Sequence, residues 1–266
     1  MIDLEKVSGL PISIDKNYQL IFREPLREII PNIRTLDQMK PVLLDPDAKP
    51  KPDTKEMYYM YRGIHNPEDE KILKDNNIRY DFTVTPPVMI GQEFNKMLGH
   101  YHAENSSGLM YPEVYEVIHG HALFLFQKMT NKFKELVDVI YIEVSTGEKV
   151  VIPPNHGHIM VNLGADVLVT ANWSADNFES NYEPIKEKHG MAYYVVAYPD
   201  KRFAFVQNPN YASVPPVREL IQSQFAEQFP IAKNEPMYKT AIKNPQTVEF
   251  LNIPEKYTLE FSKLVS

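Results

Sequence analysis

Gly99-His100-Tyr101-His102, then Glu113-Val114-Tyr115-Glu116-Val117-Ile118, then Val150-Val151-Ile152-Pro153-Pro154 running on to His158, are the pieces that decide how this chain reads. His100 and His102 sit two positions apart, so in a strand their side chains share a face. Glu113 opens an alternating run that reads as the next strand. His158 follows a third strand that ends in a proline turn. His156 lies on the same turn and face, and spacing alone leaves the two in competition. Two imidazoles, a carboxylate and a third imidazole can therefore converge inside a small barrel. That donor set suits Mn, Fe, Ni or Zn with positions left open for a substrate. A lone His-x-His would be weak, since paired histidines also occur on solvated strand faces. Its union with Glu113 and a histidine after Pro-Pro is much more specific. His119 and His121 flank Gly120 in what reads as a tight hairpin turn, and His65 and His189 show no partner pattern.

Outward from this stretch the strand signals continue. Arg79–Thr85, Glu93–Leu98, Ala122–Lys128, Asp138–Val144, Lys149–Ile152, Met160–Gly164, Val167–Ala171 and Tyr193–Ala197 are short β-prone runs separated by Gly and Pro turns. Such spacing predicts an all-β sandwich or barrel. Met57–Gly63 is β-prone and rich in aromatics. Toward the amino terminus, Arg27–Ile30 and Thr35–Met39 read as short helices, with Thr35 a usable N-cap. Leu43–Asp53 is a proline-rich linker or wrapped arm, and Asn66–Asn77 a short helix with Pro67 in its first turn. Beyond Pro199 prolines break the pattern; Val217–Phe225 has helical spacing, and Tyr257–Val265 reads as a final helix or strand. The expected organisation is an extension over 1–56, a barrel over 57–198, and an extension over 199–266 packed on the barrel or on a partner subunit.

Composition narrows the function. The chain has 266 residues, no cysteine, and a net charge of −7. Its length allows a sizeable core. The acidic balance argues against a partner held through nucleic-acid phosphates. Disulfides and thiolate chemistry are excluded. No basic region leads into an apolar run at the amino terminus, and no apolar run is long enough to span a bilayer. A cytoplasmic protein with neither a nucleic-acid nor a membrane partner is the expectation.

Gly99-His100-Tyr101-His102, Pro112-Glu113-Val114-Tyr115-Glu116, Ile152-Pro153-Pro154 through His158, and Val161-Asn162 together resemble the cupin-type glucose-6-phosphate isomerases of archaea and bacteria. Asp81-Phe82-Thr83-Val84 and Tyr182-Glu183-Pro184-Ile185 add to the likeness, which covers about Tyr58 to Val196. The resemblance implies a cupin double-stranded β-helix, a jelly-roll barrel, with extensions that contain short helices. It implies His100, His102, Glu113 and His158 as ligands of one divalent metal per subunit, Fe2+ foremost, with Mn2+, Ni2+ or Zn2+ as alternatives. Glu113 would also be the catalytic residue. Thr83, Gly99, Tyr115 and Tyr182 would line the sugar-phosphate pocket, and Tyr61, with Tyr58 beside it, would close over the phosphate. A homodimer and a place in glycolysis and gluconeogenesis follow from the same likeness. The chain departs from the family at Met97, where a threonine is frequent. It also has a longer 103–112 segment, where Ser106, Ser107 and Met110 would reshape the pocket mouth, and Trp173 would alter the wall.

Aldose–ketose isomerisation asks for these parts. A proton leaves C2 and arrives at C1 through a cis-enediol, and a metal near the C1 and C2 oxygens stabilises the negative charge. Glu113 is the natural shuttle, although a metal-ligated carboxylate is a weaker base, which leaves a hydride shift open. The competing readings are an Fe(II) dioxygenase on the same ligands and a sugar-phosphate-binding cupin without turnover.

Overall fold

The computed structural model describes residues 1–130, 133–177, 179–199, 203–220, 228–231 and 234–265. Two sheets face each other across one core. The larger runs Lys149–Ile152, Glu113–His119, Leu168–Ala175, Ile78–Thr85, Glu56–Tyr61 and Asn32–Thr35, all neighbours antiparallel. The smaller runs His156–Asn162, His121–Met129 and Leu136–Ser145, with Arg218–Glu219 added in parallel. From Glu113 onward the chain crosses repeatedly from one sheet to the other, which makes this the double-stranded β-helix of the cupin fold.

The crossing corrects one expectation. His119-Gly120-His121 is a corner between the sheets rather than a hairpin, because the strands on either side of it pair elsewhere. Gly120 makes the corner possible: its φ is +96°, and a Cβ there would stand 2.8 Å from the Val167 carbonyl oxygen. His119 and His121 leave the barrel interior for Asp166 at 3.0 Å and Glu143 at 2.7 Å.

Other differences have local causes. Arg27–Ile30 forms no helix, since Pro31 biases the residue before it toward extended backbone. Glu93–Leu98 is a strand only over Glu93–Phe94. The Asn95 side chain bonds the Met57 and Pro86 carbonyls and pulls the backbone out of the sheet. Thr35 does start a helix over Leu36–Met39, with its N–H donated to the Gln38 side chain at 3.0 Å. In the tail, Arg218–Glu219 is a strand edge fixed by Arg218 to Asp138 at 2.7 Å, where the sequence predicts the start of a helix; the remainder of Val217–Phe225 beyond Leu220 lies outside the described residues. Tyr257–Val265 contains a helix over Thr258–Leu264.

The Leu168–Ala175 strand is buried on both faces. One face lines the barrel interior, and the other is covered by the carboxy-terminal segment, where Trp173 Nε1 donates to the Met237 carbonyl at 3.2 Å and its ring stacks on Tyr238. Trp173 thus points away from the cavity, contrary to its expected place in the pocket wall.

Glu116 anchors the same contact. Its carboxylate accepts the Met237 N–H at 2.8 Å and pairs with Lys149 at 2.9 Å. Burial raises its pKa to about 7, against the pull of Lys149 and the Met237 N–H. An acid whose folded pKa lies above its ordinary 4.5 is protonated in the folded state where the unfolded chain has released the proton. Its contribution to stability therefore falls as pH rises from about 4.5 to about 7, by up to about 1.4 kcal/mol per pH unit, and is level above that. Urea unfolding should show the stability of wild type relative to Glu116→Gln dropping across this window. A difference independent of pH would mean that Glu116 ionises normally.

Candidate metal centre

Gly99 sets the geometry. Its φ of +88° turns the chain where a Cβ would strike Ile159 at 2.6 Å, and the next residue docks on the opposite strand. His100 and His158 exchange backbone hydrogen bonds at 3.1 and 3.3 Å, placing their rings 4.6 Å apart between centroids. His102 follows on a short strand paired with Ser180–Asn181. Glu113 begins the next strand of the large sheet, with Tyr115 on the same face.

The ligand atoms of His100, His102, Glu113 and His158 all lie within 4.8 Å of one another, and all four residues are buried. This group could hold a metal ion, and its unfinished bonding says so independently. Glu113 Oε2 stands 3.3 Å from His102 Nε2 and 3.4 Å from His158 Nε2 without forming a proper hydrogen bond to either. Glu113 Oε2 and His158 Nε2 are buried without a hydrogen bond of good geometry, a costly state unless something else takes their lone pairs. The Nε2 atoms of His100 and His102 meet at 3.1 Å. His102 Nδ1 donates to the Tyr111 carbonyl at 2.6 Å, which leaves its Nε2 as an electron-pair donor aimed at the cluster. Burial holds His100 and His158 below the usual histidine range, as neutral imidazoles. Burial pushes Glu113 up, but the flanking His102 and His158 outweigh it and keep it ionised. Neutral His100 and His158 beside an ionised Glu113 are in the donor state that a divalent cation requires. Asn172 donates to Glu113 Oε1 at 2.5 Å and fixes the other half of the carboxylate.

His156 is separated from this group. Its Nδ1 bonds the Pro154 carbonyl at 2.8 Å, and burial lowers its pKa to about 4. The competition left open by spacing is resolved in favour of His158.

A cavity of about 40 Å³ opens on the cluster, lined by Tyr58, Met60, Arg62, Arg79, Thr83, Met97, His100, Glu113, Tyr115, Asn172, Ser180 and Tyr182. Thr83, Tyr115 and Tyr182, expected in a sugar-phosphate pocket, are among the residues that line it. Met97 also lines it, in place of the frequent threonine. Three expectations are corrected. Tyr61 faces the other side of its strand, where its hydroxyl bonds Leu20 N and Gln19; strand alternation gives the cavity Tyr58, Met60 and Arg62 instead. Gly99 shapes the backbone without lining the cavity. Ser106, Ser107 and Met110 do not reach it, and Ser107 bonds Asn105 and Glu255. The reading of the sequence missed Arg62, Arg79 and Asn172. Their signal was alternation from Tyr58, from Thr83 and from the strand opposite Glu113.

Tyr58 has a defined polarity. Its oxygen accepts Arg34 Nε–H at 3.2 Å and Leu98 N–H at 3.3 Å, which leaves its own proton to donate. The Arg34 guanidinium lies 5.3 Å from the Tyr182 ring centroid and 5.8 Å from that of Tyr58, bracing both walls. The cavity is small against the roughly 300–1,000 Å³ of most small-molecule sites.

Barrel and donor set together define a cupin with a candidate metal centre. The family model for glucose-6-phosphate isomerase (GPI) matches residues 33–213, more than half of the chain. The chain belongs to the cupin-type glucose-6-phosphate isomerase family. No curated protein matches it. Among solved structures it is similar to vicilin from Solanum melongena, at 15% identity over 47% of this chain and 30% of that one, with a TM-score of 0.34. Vicilin from Solanum lycopersicum (tomato) matches at 19% identity, 51% and 32% coverage, and a TM-score of 0.34. The oxalate decarboxylase of Lactobacillus farciminis, as its formate complex, matches at 18% identity, 50% and 32% coverage, and a TM-score of 0.33. The chain spans about a third of the length of these proteins. Among the described residues no helix is long and apolar enough to cross a membrane.

Proposed function

We propose that this protein is a metal-dependent isomerase that interconverts glucose 6-phosphate and fructose 6-phosphate. The observation that carries the reading is the buried His100–His102–Glu113–His158 group, with orphaned donor atoms facing a cavity rich in hydroxyls and arginines. A divalent ion held there, iron foremost, would supply Lewis acidity to the C1 and C2 oxygens of the open-chain sugar. Glu113 removes the C2 proton and returns it to C1, while the proton of one oxygen passes to the other, so no other reactant is consumed. Asn172 holds Glu113 Oε1 and so keeps the carboxylate aimed during both transfers. Tyr58, Thr83 and Tyr182 offer hydroxyl donors to the phosphate, with Arg34 behind two of them. Met97 offers none, since a thioether accepts weakly and donates nothing.

The test is to strip metal with a chelator and assay fructose 6-phosphate turnover on adding back Fe2+, Mn2+, Ni2+ or Zn2+. Activity should return with metal and rank the ions. No turnover with any ion would sink the reading and leave the fold and the metal centre standing.

A further inference from the structure

Arg62, Arg79 and Asp81 form a charged cluster on the cavity wall, on the same sheet face as Asn172 and Tyr115. Asp81 is fully buried, and its needs are met more than once. Arg79 Nε shares a hydrogen between both carboxylate oxygens at 3.0 Å, and Gly63 N–H donates at 2.8 Å. Arg79 is then bound on its far side by Asp176 at 3.1 Å. Arg62, whose side chain is 40% exposed, adds Nη1 to Asp81 at 2.6 Å, and its other hydrogen bond among the described residues is the weak one to the Met60 sulfur at 3.6 Å. A guanidinium carries five N–H donors, so most of those of Arg62 have no acceptor among the described residues. Neutralising Asp81 does not require this second cation.

We propose that Arg62, mounted on Asp81, is an oxyanion-binding residue of this cavity. The oxyanion is either the phosphoryl group of the substrate or the oxygen that becomes negative at the reacting carbons; the second alternative rests on the isomerase reading. A planar fork fixed at one corner and free at the others suits either.

The experiment compares wild type, Arg62→Gln and Arg62→Lys, using the full chain. Inorganic phosphate is titrated calorimetrically into chelator-treated protein, and isomerase kinetics are measured on metal-loaded protein. Phosphate affinity lower by about 10- to 100-fold in Arg62→Gln, with a smaller loss in Arg62→Lys, assigns Arg62 to the phosphoryl group. Unchanged phosphate affinity with kcat lower by a similar factor at constant KM assigns it to the developing oxyanion. Both quantities unchanged overturn the proposal. Wild-type protein without turnover defeats the isomerase reading alone if phosphate still binds through Arg62, and defeats both if phosphate does not bind. Should Arg62→Gln fail to fold, Arg62→Lys, which keeps the charge facing Asp81 but loses the fork, carries the same comparison.

Discussion

Glu113→Gln is expected to lower isomerase kcat by about 10²- to 10⁴-fold, the span that a positioned general base usually contributes. The amide keeps the shape of the carboxylate but removes its charge, which weakens metal binding as well as proton transfer. Metal content, measured by elemental analysis on the same samples, separates the two. At metal saturation the remaining loss belongs to the proton path between C2 and C1. A kcat within about tenfold of wild type under those conditions would remove Glu113 from that path. The alternative would then be a hydride shift along the sugar, visible as retention of deuterium from C2-labelled substrate. The buried position of Glu113 and its hold by Asn172 favour the first outcome.

The second large effect lies outside the metal centre, where Glu93 and Lys96 form an ion pair with both side chains almost wholly buried. Lys96 Nζ also donates to the Val42 carbonyl at 2.8 Å, and Glu93 Oε2 accepts Leu44 N–H at 2.9 Å. The pair therefore ties the wrapped amino-terminal arm to the segment that leads into Met97 and His100. Glu93→Ala leaves the Lys96 ammonium without its counter-charge and the Leu44 N–H without its acceptor, and should cost about 3–5 kcal/mol in urea unfolding. Removing both charges, as Glu93→Leu with Lys96→Met, should recover much of this, because a buried pair costs nearly as much to desolvate as it returns. If the double variant is no more stable than Glu93→Ala, the loss comes from packing at these positions and not from the stranded charge.

Most of the barrel was legible because alternation and turn residues are local signals. Ile78–Thr85, Glu56–Tyr61 and Lys149–Ile152 appear within a residue or two of where the pattern put them. The failures share one cause. His119-Gly120-His121 has the composition of a hairpin, and only long-range pairing makes it a corner. Glu93–Leu98 has a strand's composition, yet Asn95 bonds two distant carbonyls and takes the backbone elsewhere. Trp173 stands beside Asn172 in the sequence, and the strand's period of two sends one to the carboxy-terminal segment and the other to Glu113.

By itself the sequence determined the β-class and the cupin signature, and its family resemblance named the four donors, because such motifs are properties of short stretches. The tertiary structure alone decided that Tyr61 lies outside the cavity. It also brought Arg62, Arg79 and Asp81 together at its wall. Those outcomes depend on which face of a strand meets which neighbour, and register between distant strands settles that only once the barrel has closed.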